Sequence, residues 1–142
     1  MKKRVLAFDV GDKRIGVAVS DALGITAQPV ETYHRKGGAE KDAEYLLSLA
    51  KKYAPCTLLF GLPRNMDGTY GEQAEKVKKF AQKLIDRWDG DYAFYDERLT
   101  TMTARRVLLD ADISREKRKQ VIDKMAAVVI LQGYMESHRD QL

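Results

Sequence analysis

Arg4-Val-Leu-Ala-Phe-Asp-Val-Gly-Asp-Lys-Arg-Ile-Gly-Val-Ala-Val-Ser-Asp21 is the stretch whose reading decides the fold. It reads as two β-strands joined by a tight polar turn. Val5 to Val10 is an apolar run broken only by Asp9. Burying that charge unpaired would cost several kcal/mol or shift its pKa. Gly11, Asp12 and Lys13 reverse the chain, and Ile15 to Val19 returns as the second strand. An acid at the mouth of a central strand is a natural metal or phosphate site. The plainer alternative is a strand-end carboxylate that bonds to turn amides.

Strands are therefore expected over residues 4–10 and 14–20, with a third over 25–33. Pro29 weakens the third and pushes it towards a sheet edge. Residues 39–53 carry Ala43, Leu46, Leu47 and Ala50 at helical spacing, and Pro55 closes that segment. Residues 57–60 form a short apolar strand, followed by the turn-rich loop Gly61-Leu-Pro-Arg-Asn-Met-Asp-Gly68. Thr69 and Glu72 have capping-box spacing, predicting a helix to about Trp88 with Tyr70 on its apolar stripe. A fifth strand over 92–95 runs into Asp96-Glu97-Arg98. Thr100 or Thr101 caps a further helix with Ala104, Val107, Leu108 and Ala111 on its face, and Ser114 can open the last, running to about His138.

Three leading strands can form an antiparallel meander, while strands that alternate with helices build parallel crossovers. The expected fold is α/β: a five-stranded mixed sheet, three leading strands antiparallel and the rest parallel, flanked by helices. Ligands of such sheets gather beyond the carboxyl ends of the parallel strands. Asp9, the loop after Phe60, and Asp96-Glu97 all fall at that edge.

The 142 residues suit one domain, 1–142, with 44% hydrophobic residues to fill a core. The net charge of +4 permits a polyanionic partner without demanding one. Cys56 is the only cysteine, which excludes a disulfide framework and a thiolate zinc cluster. No apolar run approaches the ~20 residues of a membrane span, and no signal peptide is recognisable. A cytoplasmic protein without membrane association is expected.

A further carboxylate, Asp123, lies in the last helix three and four residues before Ala126 and Ala127. Small residues beside an acid let a helix approach the sheet and leave room for an ion. Alternatively, Asp123 is a solvated acid paired with Lys119 or Lys124. Clustered carboxylates suit Mg²⁺ or Mn²⁺ rather than zinc. Two such ions, ~3.5–4 Å apart, can activate water and stabilise the leaving oxygen of an in-line phosphodiester displacement. The two histidines, His34 and His138, have no metal-ligand spacing.

Four segments together resemble one family: Asp9-Val-Gly-Asp-Lys-Arg-Ile-Gly16 with Ser20-Asp21, the loop Gly61 to Gly68, Asp96-Glu-Arg-Leu-Thr-Thr101, and Asp123-Lys-Met-Ala-Ala127. In this order, nearly end to end, they resemble the YqgF/RuvX family of Holliday-junction-resolvase-like nucleases assigned to maturation of the precursor of small-subunit ribosomal RNA. The resemblance implies a ribonuclease H-like fold and metal-dependent phosphodiester hydrolysis, with Asp9, Glu97 and Asp123 as catalytic and metal-binding acids. True resolvases carry another acid three residues after the helix Asp, where this chain has Ala126. Asp96 is a weaker candidate than Glu97, because the two point to opposite faces if the strand continues through both.

Arg14, Arg64 and Arg98 lie within these motifs and are the candidates for phosphate contact. Between Arg98 and Lys124, eight Lys or Arg face four acids, which favours a basic surface near the site. The expected function is a metal-dependent nuclease on structured RNA, processing the 5′ end of precursor 16S ribosomal RNA, with nucleic acid as partner and a ribosomal or assembly-factor protein as a further one. Three alternatives stay open: a branched-DNA resolvase, a non-catalytic RNA-binding assembly factor, and an actin-like nucleotide-binding protein.

Overall fold

The computed structural model of this protein describes residues 3–64, 69–97 and 115–138. Along the chain run β1 (Arg4–Val10), β2 (Arg14–Ser20), β3 (Ala27–His34), α1 (Ala39–Tyr53), β4 (Cys56–Pro63), α2 (Glu72–Ile85), β5 (Tyr92–Glu97) and α3 (Arg115–Ser137). The strands form one sheet in the order β3-β2-β1-β4-β5. β1 pairs antiparallel with β2 and parallel with β4, and β4 pairs parallel with β5. The mixed sheet expected from the element order is therefore present.

Glycine sets the first hairpin. The Gly11 amide donates to the Arg14 carbonyl at 2.9 Å. A Cβ on Gly11 would sit 2.7 Å from that same oxygen, so a side chain would force the turn open. β3 is an edge strand, as Pro29 predicts, and the β2–β3 register slips between Val17 and Ala18, opposite Glu31 and Pro29. The slip leaves Val30 without a partner on β2, one residue after Pro29, which has no amide to give the ladder. Strand β3 starts at Ala27 rather than at residue 25. Asp21 captures the Ile25 and Thr26 amides at 2.7 and 3.3 Å and ties residues 21–26 into a turn.

The central strands are buried on both faces. Leu6, Phe8 and Val10 of β1 join Leu58, Phe60 and Leu62 of β4 on the face covered by α1 and α2. Val5, Ala7 and Leu59 lie on the other face, under Ala127, Ile130 and Leu131 of α3. Each fully buried Leu or Phe contributes about 1.5–3 kcal/mol relative to exposure. This is why β1 reads as a continuous apolar run rather than an alternating one. Asp9 falls on the same parity as Val5 and Ala7, hence on the α3 face.

Helix α1 matches its predicted bounds; acids in its first turn and lysines in its last complement its dipole. Helix α2 does not match. Gly71, in extended conformation, occupies its N-cap position without a side-chain cap, so the Thr69–Glu72 box does not form. Tyr70 lies before the helix, 43% exposed, in an antiparallel bridge with Arg64. The bridge holds the Tyr70 backbone extended and takes its ring off the core stripe. At the other end α2 stops at Ile85, and Trp88 packs on the core from a turn, its indole donating to the Asp91 carbonyl at 3.2 Å. The helix expected after Thr100, the 65–68 part of the loop, and Arg98 lie outside the described residues.

Candidate functional site

The carboxyl ends of β1, β4 and β5 form one edge of the sheet, and the sequence candidates sort themselves along it. Asp9 is half-buried near the end of β1, opposite Gly16 of β2. On its other side, β4 continues from the Phe8–Phe60 pair to Gly61. Both strand neighbours of Asp9 are thus buried glycines. Directly opposed Cβ atoms would otherwise stand ~4.5–5.5 Å away. Neither strand neighbour brings a side chain against the carboxylate, and any other residue at position 16 or 61 would.

Strand β5 runs through both Asp96 and Glu97, with Leu62 paired to Asp96 and Pro63 to Glu97. The two acids therefore occupy alternate parities. Position 97 shares the parity of Ala93 and Tyr95, which pack with the α3 cluster. Asp96 shares that of Phe94, whose ring meets Phe60 at 5.6 Å on the other face. Asp96 spends its oxygens there: Oδ2 accepts from Arg64 Nη1 at 3.0 Å and Oδ1 from the Tyr70 hydroxyl at 2.8 Å. That second bond pushes the Tyr70 phenol pKa up, since ionising it would oppose two negative charges. The Tyr70 ring is flanked by the Arg64 guanidinium at 4.8 Å and the Lys78 ammonium at 5.0 Å. This cluster ties the end of β4 to the end of β5 and to the approach to α2.

Of the predicted phosphate contacts, Arg14 opens β2 on the parity of Gly16 and Ala18, the face and edge of Asp9. Arg64 is drawn to the Asp96 brace on the other parity. Asp123 occupies the ninth position of α3, one turn before the buried pair Ala126 and Ala127. Helix α3 packs on β1, β2 and β3 and reaches β5. Its approach to β5 depends on Gly133, where a Cβ would lie 2.5 Å from the Tyr95 hydroxyl. Among the described residues, no three His, Cys, Asp or Glu are grouped to hold a metal. The side chains of Glu97 and Asp123 are not among those described.

Two features of the site escaped the sequence reading. Ser20, grouped above with Asp21 in a motif, accepts the buried Val5 amide at 2.8 Å just beyond the last β1–β2 pair, a structural duty. Asp42, 1% exposed, receives Arg35 Nε at 2.8 Å and the Tyr33 hydroxyl at 2.9 Å. Arg35 also donates Nη1 to the Gly11 carbonyl at 2.8 Å, so the turn following Asp9 is braced from the α1 face. The signal was present: Asp42 lies four residues before Leu46, on the apolar stripe of α1, where an acid needs a partner.

Comparison with known proteins gives a consistent result. Residues 3–137 match the family model RuvX, described as Holliday junction resolvase. A relative from Clostridium novyi, named "Putative pre-16S rRNA nuclease", is 52% identical over 134 residues, covering 94% of this chain and 98% of its own. One of the same name from Halalkalibacterium halodurans is 51% identical over 140 residues, covering 98% and 99%. Among solved structures, T. thermophilus RuvC in complex with a Holliday junction substrate superposes with a TM-score of 0.54 over 96% of each chain. At 14% identity that match speaks for the fold, which is ribonuclease H-like.

Proposed function

The chain belongs to the RuvX family, and from that membership we propose that it is a metal-dependent nuclease that processes the 5′ end of precursor 16S ribosomal RNA. Relatives matched over nearly their whole length at about half identity carry the pre-16S rRNA nuclease name. The observation that carries the chemistry is the half-buried Asp9 between two glycines, at the sheet edge where β5 ends in Glu97.

The donor set fits a hard cation. Asp9, Glu97 and Asp123 would supply only carboxylate oxygens, the chemistry of Mg²⁺ or Mn²⁺. The glycines at 16 and 61 bring no side chain of β2 or β4 against Asp9. β1 and β5 are two strand spacings apart, roughly 10 Å between backbones. Two carboxylate side chains with metal–oxygen bonds of ~2 Å can bridge such a span. Bound there, one or two divalent ions would lower the pKa of a water and neutralise charge on the scissile phosphate. The chain's own residues do the rest. The Asp9 strand is fixed by ladders on both sides, so its carboxylate is held in place before substrate arrives. Arg14, on the same face and edge, is placed to hold a phosphate oxygen, and Arg98 follows Glu97 directly.

The test is cleavage of precursor-like RNA beside branched and linear DNA, with Mg²⁺ or Mn²⁺ and after chelation. Asp9→Asn, Glu97→Gln and Asp123→Asn are each expected to reduce cleavage by orders of magnitude while melting like the wild type. A variant that cuts within about twofold of wild type would remove that residue from the site. Faster cutting of branched DNA than of RNA would replace the substrate assignment with the resolvase reading. Binding of RNA without metal-dependent cutting would leave an assembly factor.

A further inference from the structure

On the sheet face away from Asp9, a cavity of about 500 Å³ opens against α1 and α2. Its floor is Val10, Gly11 and Phe80 with the Arg35–Asp42 pair, the Arg35 guanidinium lying 4.8 Å over the Phe80 ring. Lys36, Lys76, Lys79 and Lys83 stand around it, and Asp12 closes one side. Five cationic side chains thus meet two carboxylates, an excess of three positive charges in one concave surface.

These cations are not equally committed. Arg35 is bound to buried Asp42, and Lys83 to Glu40 at 2.9 Å. Lys76 lies a loose 3.6 Å from Asp12. Lys36 and Lys79 make no ion pair or hydrogen bond among the described residues. Like charges gathered in a cleft repel one another, and low-dielectric walls strengthen the field they share. An anion that enters relieves that repulsion. The volume lies in the range of small-ligand sites, ~300–1,000 Å³. Ammonium groups on flexible stems bind phosphate as point charges and can close round it.

We propose that this cavity is a phosphate-binding site, distinct from the carboxylate edge, that takes a phosphoryl group from either a nucleic-acid backbone or a free polyphosphate. The proposal rests on shape and charge and is independent of the nuclease reading. It reaches the Asp9 edge through one element: Asp9 precedes the β1–β2 turn, and Gly11 and Asp12 of that turn line the cavity. A phosphate drawn to Lys76 competes with Asp12 for it.

The experiment is an amide NMR titration of the full chain in chelating buffer, with pyrophosphate in one arm and a short single-stranded oligoribonucleotide in the other. Saturable shifts are expected at Gly11, Asp12, Gly37 and Gly38, weakening as salt is raised. Lys36→Ala with Lys79→Ala should weaken binding about tenfold or more, as loss of charge-assisted hydrogen bonds does. The Lys36→Arg, Lys79→Arg pair should retain it, which separates charge from fold. Asp9→Asn should bind as wild type does, so failure of the nuclease reading leaves this result standing. If the oligoribonucleotide displaces pyrophosphate, the site reads backbone phosphates; if pyrophosphate alone shifts these amides, it takes the free anion. No saturable shift in either arm, or unchanged affinity in the double Ala variant, overturns the proposal.

Discussion

Replacing Asp42 with Ala tests whether the turn after Asp9 is held from behind. In the wild type, Asp42 is 1% exposed and the Arg35 side chain 19% exposed, so the pair is almost dry on one side and reaches the cavity on the other. Removing one partner of a fully buried pair costs ~3–5 kcal/mol, because the remaining charge stays desolvated. Arg35 can relax partly into the cavity, so the expected loss is about 2–4 kcal/mol, including the acceptor that the Tyr33 hydroxyl loses. For a domain of this size, ~1 kcal/mol corresponds to roughly 3–4 °C in Tm, which gives a fall of roughly 6–16 °C. Urea unfolding followed by circular dichroism reads the same loss as a lower midpoint at constant slope. Adding Arg35→Met should recover at least ~1 kcal/mol of it, since the double variant no longer buries an unpaired charge. The Gly11 carbonyl also loses its guanidinium, so cleavage should drop even well below the melting temperature. An Asp42→Ala protein within about 0.5 kcal/mol of wild type, or strict additivity with Arg35→Met, would refute the reasoning.

Other consequences follow from single contacts. Arg14→Ala should weaken RNA binding and flatten its salt dependence by roughly one unit of slope or less, whereas Arg64→Ala should lower Tm with the slope unchanged, because Arg64 is spent on Asp96; a binding series over salt beside a melt of each variant decides. Lys83 and Arg87 hold the Glu40 carboxyl at about 2 instead of 4.5. A depressed carboxylate pKa contributes stability that is present above pH ~4.5 and lost as pH falls towards ~2. The Tm deficit of Glu40→Gln, small because the pair is exposed, should therefore shrink over that window and vanish only below it, and a deficit undiminished at pH 2 contradicts the assignment. Gly133→Ala should destabilise, despite a gain of about 1 kcal/mol in helix propensity, because its Cβ would meet the Tyr95 hydroxyl at 2.5 Å. Tyr95→Phe should relieve part of that cost, and a raised Tm in Gly133→Ala alone would show that α3 has room to move.

The sheet was legible because its signals are local. The apolar run around Asp9, the Gly11 turn and Pro29 each constrain a few neighbouring residues, and strand order then follows from element order. The start of α2 was misread for the opposite reason. Thr69 and Glu72 have capping-box spacing, yet the Arg64–Tyr70 bridge and the Asp96 acceptor, both distant in sequence, hold that segment extended. Tyr70 shows the same limit: helical spacing placed it in the core, and a carboxylate 26 positions away keeps it at the surface. Periodicity cannot see a partner contributed by another strand.

The same distinction orders the candidate site. Asp9 stands out in sequence because a charge interrupts a buried strand, and the structure adds what no spacing could give: glycines on both flanks. Asp96 and Glu97 are adjacent and chemically alike, and only strand parity separates them. Parity gives Asp96 to Arg64 and Tyr70, a brace that joins three elements, and leaves position 97 on the face of Asp9 and α3. The division is itself economical, since an acid that anchors the loop cannot also ligate an ion without releasing its arginine. A site assembled this way should tolerate Asp96→Asn far better than Glu97→Gln in cleavage, because Asn keeps an acceptor for Tyr70 while Gln removes a charged ligand. Equal losses in the two variants would mean that parity does not divide their work.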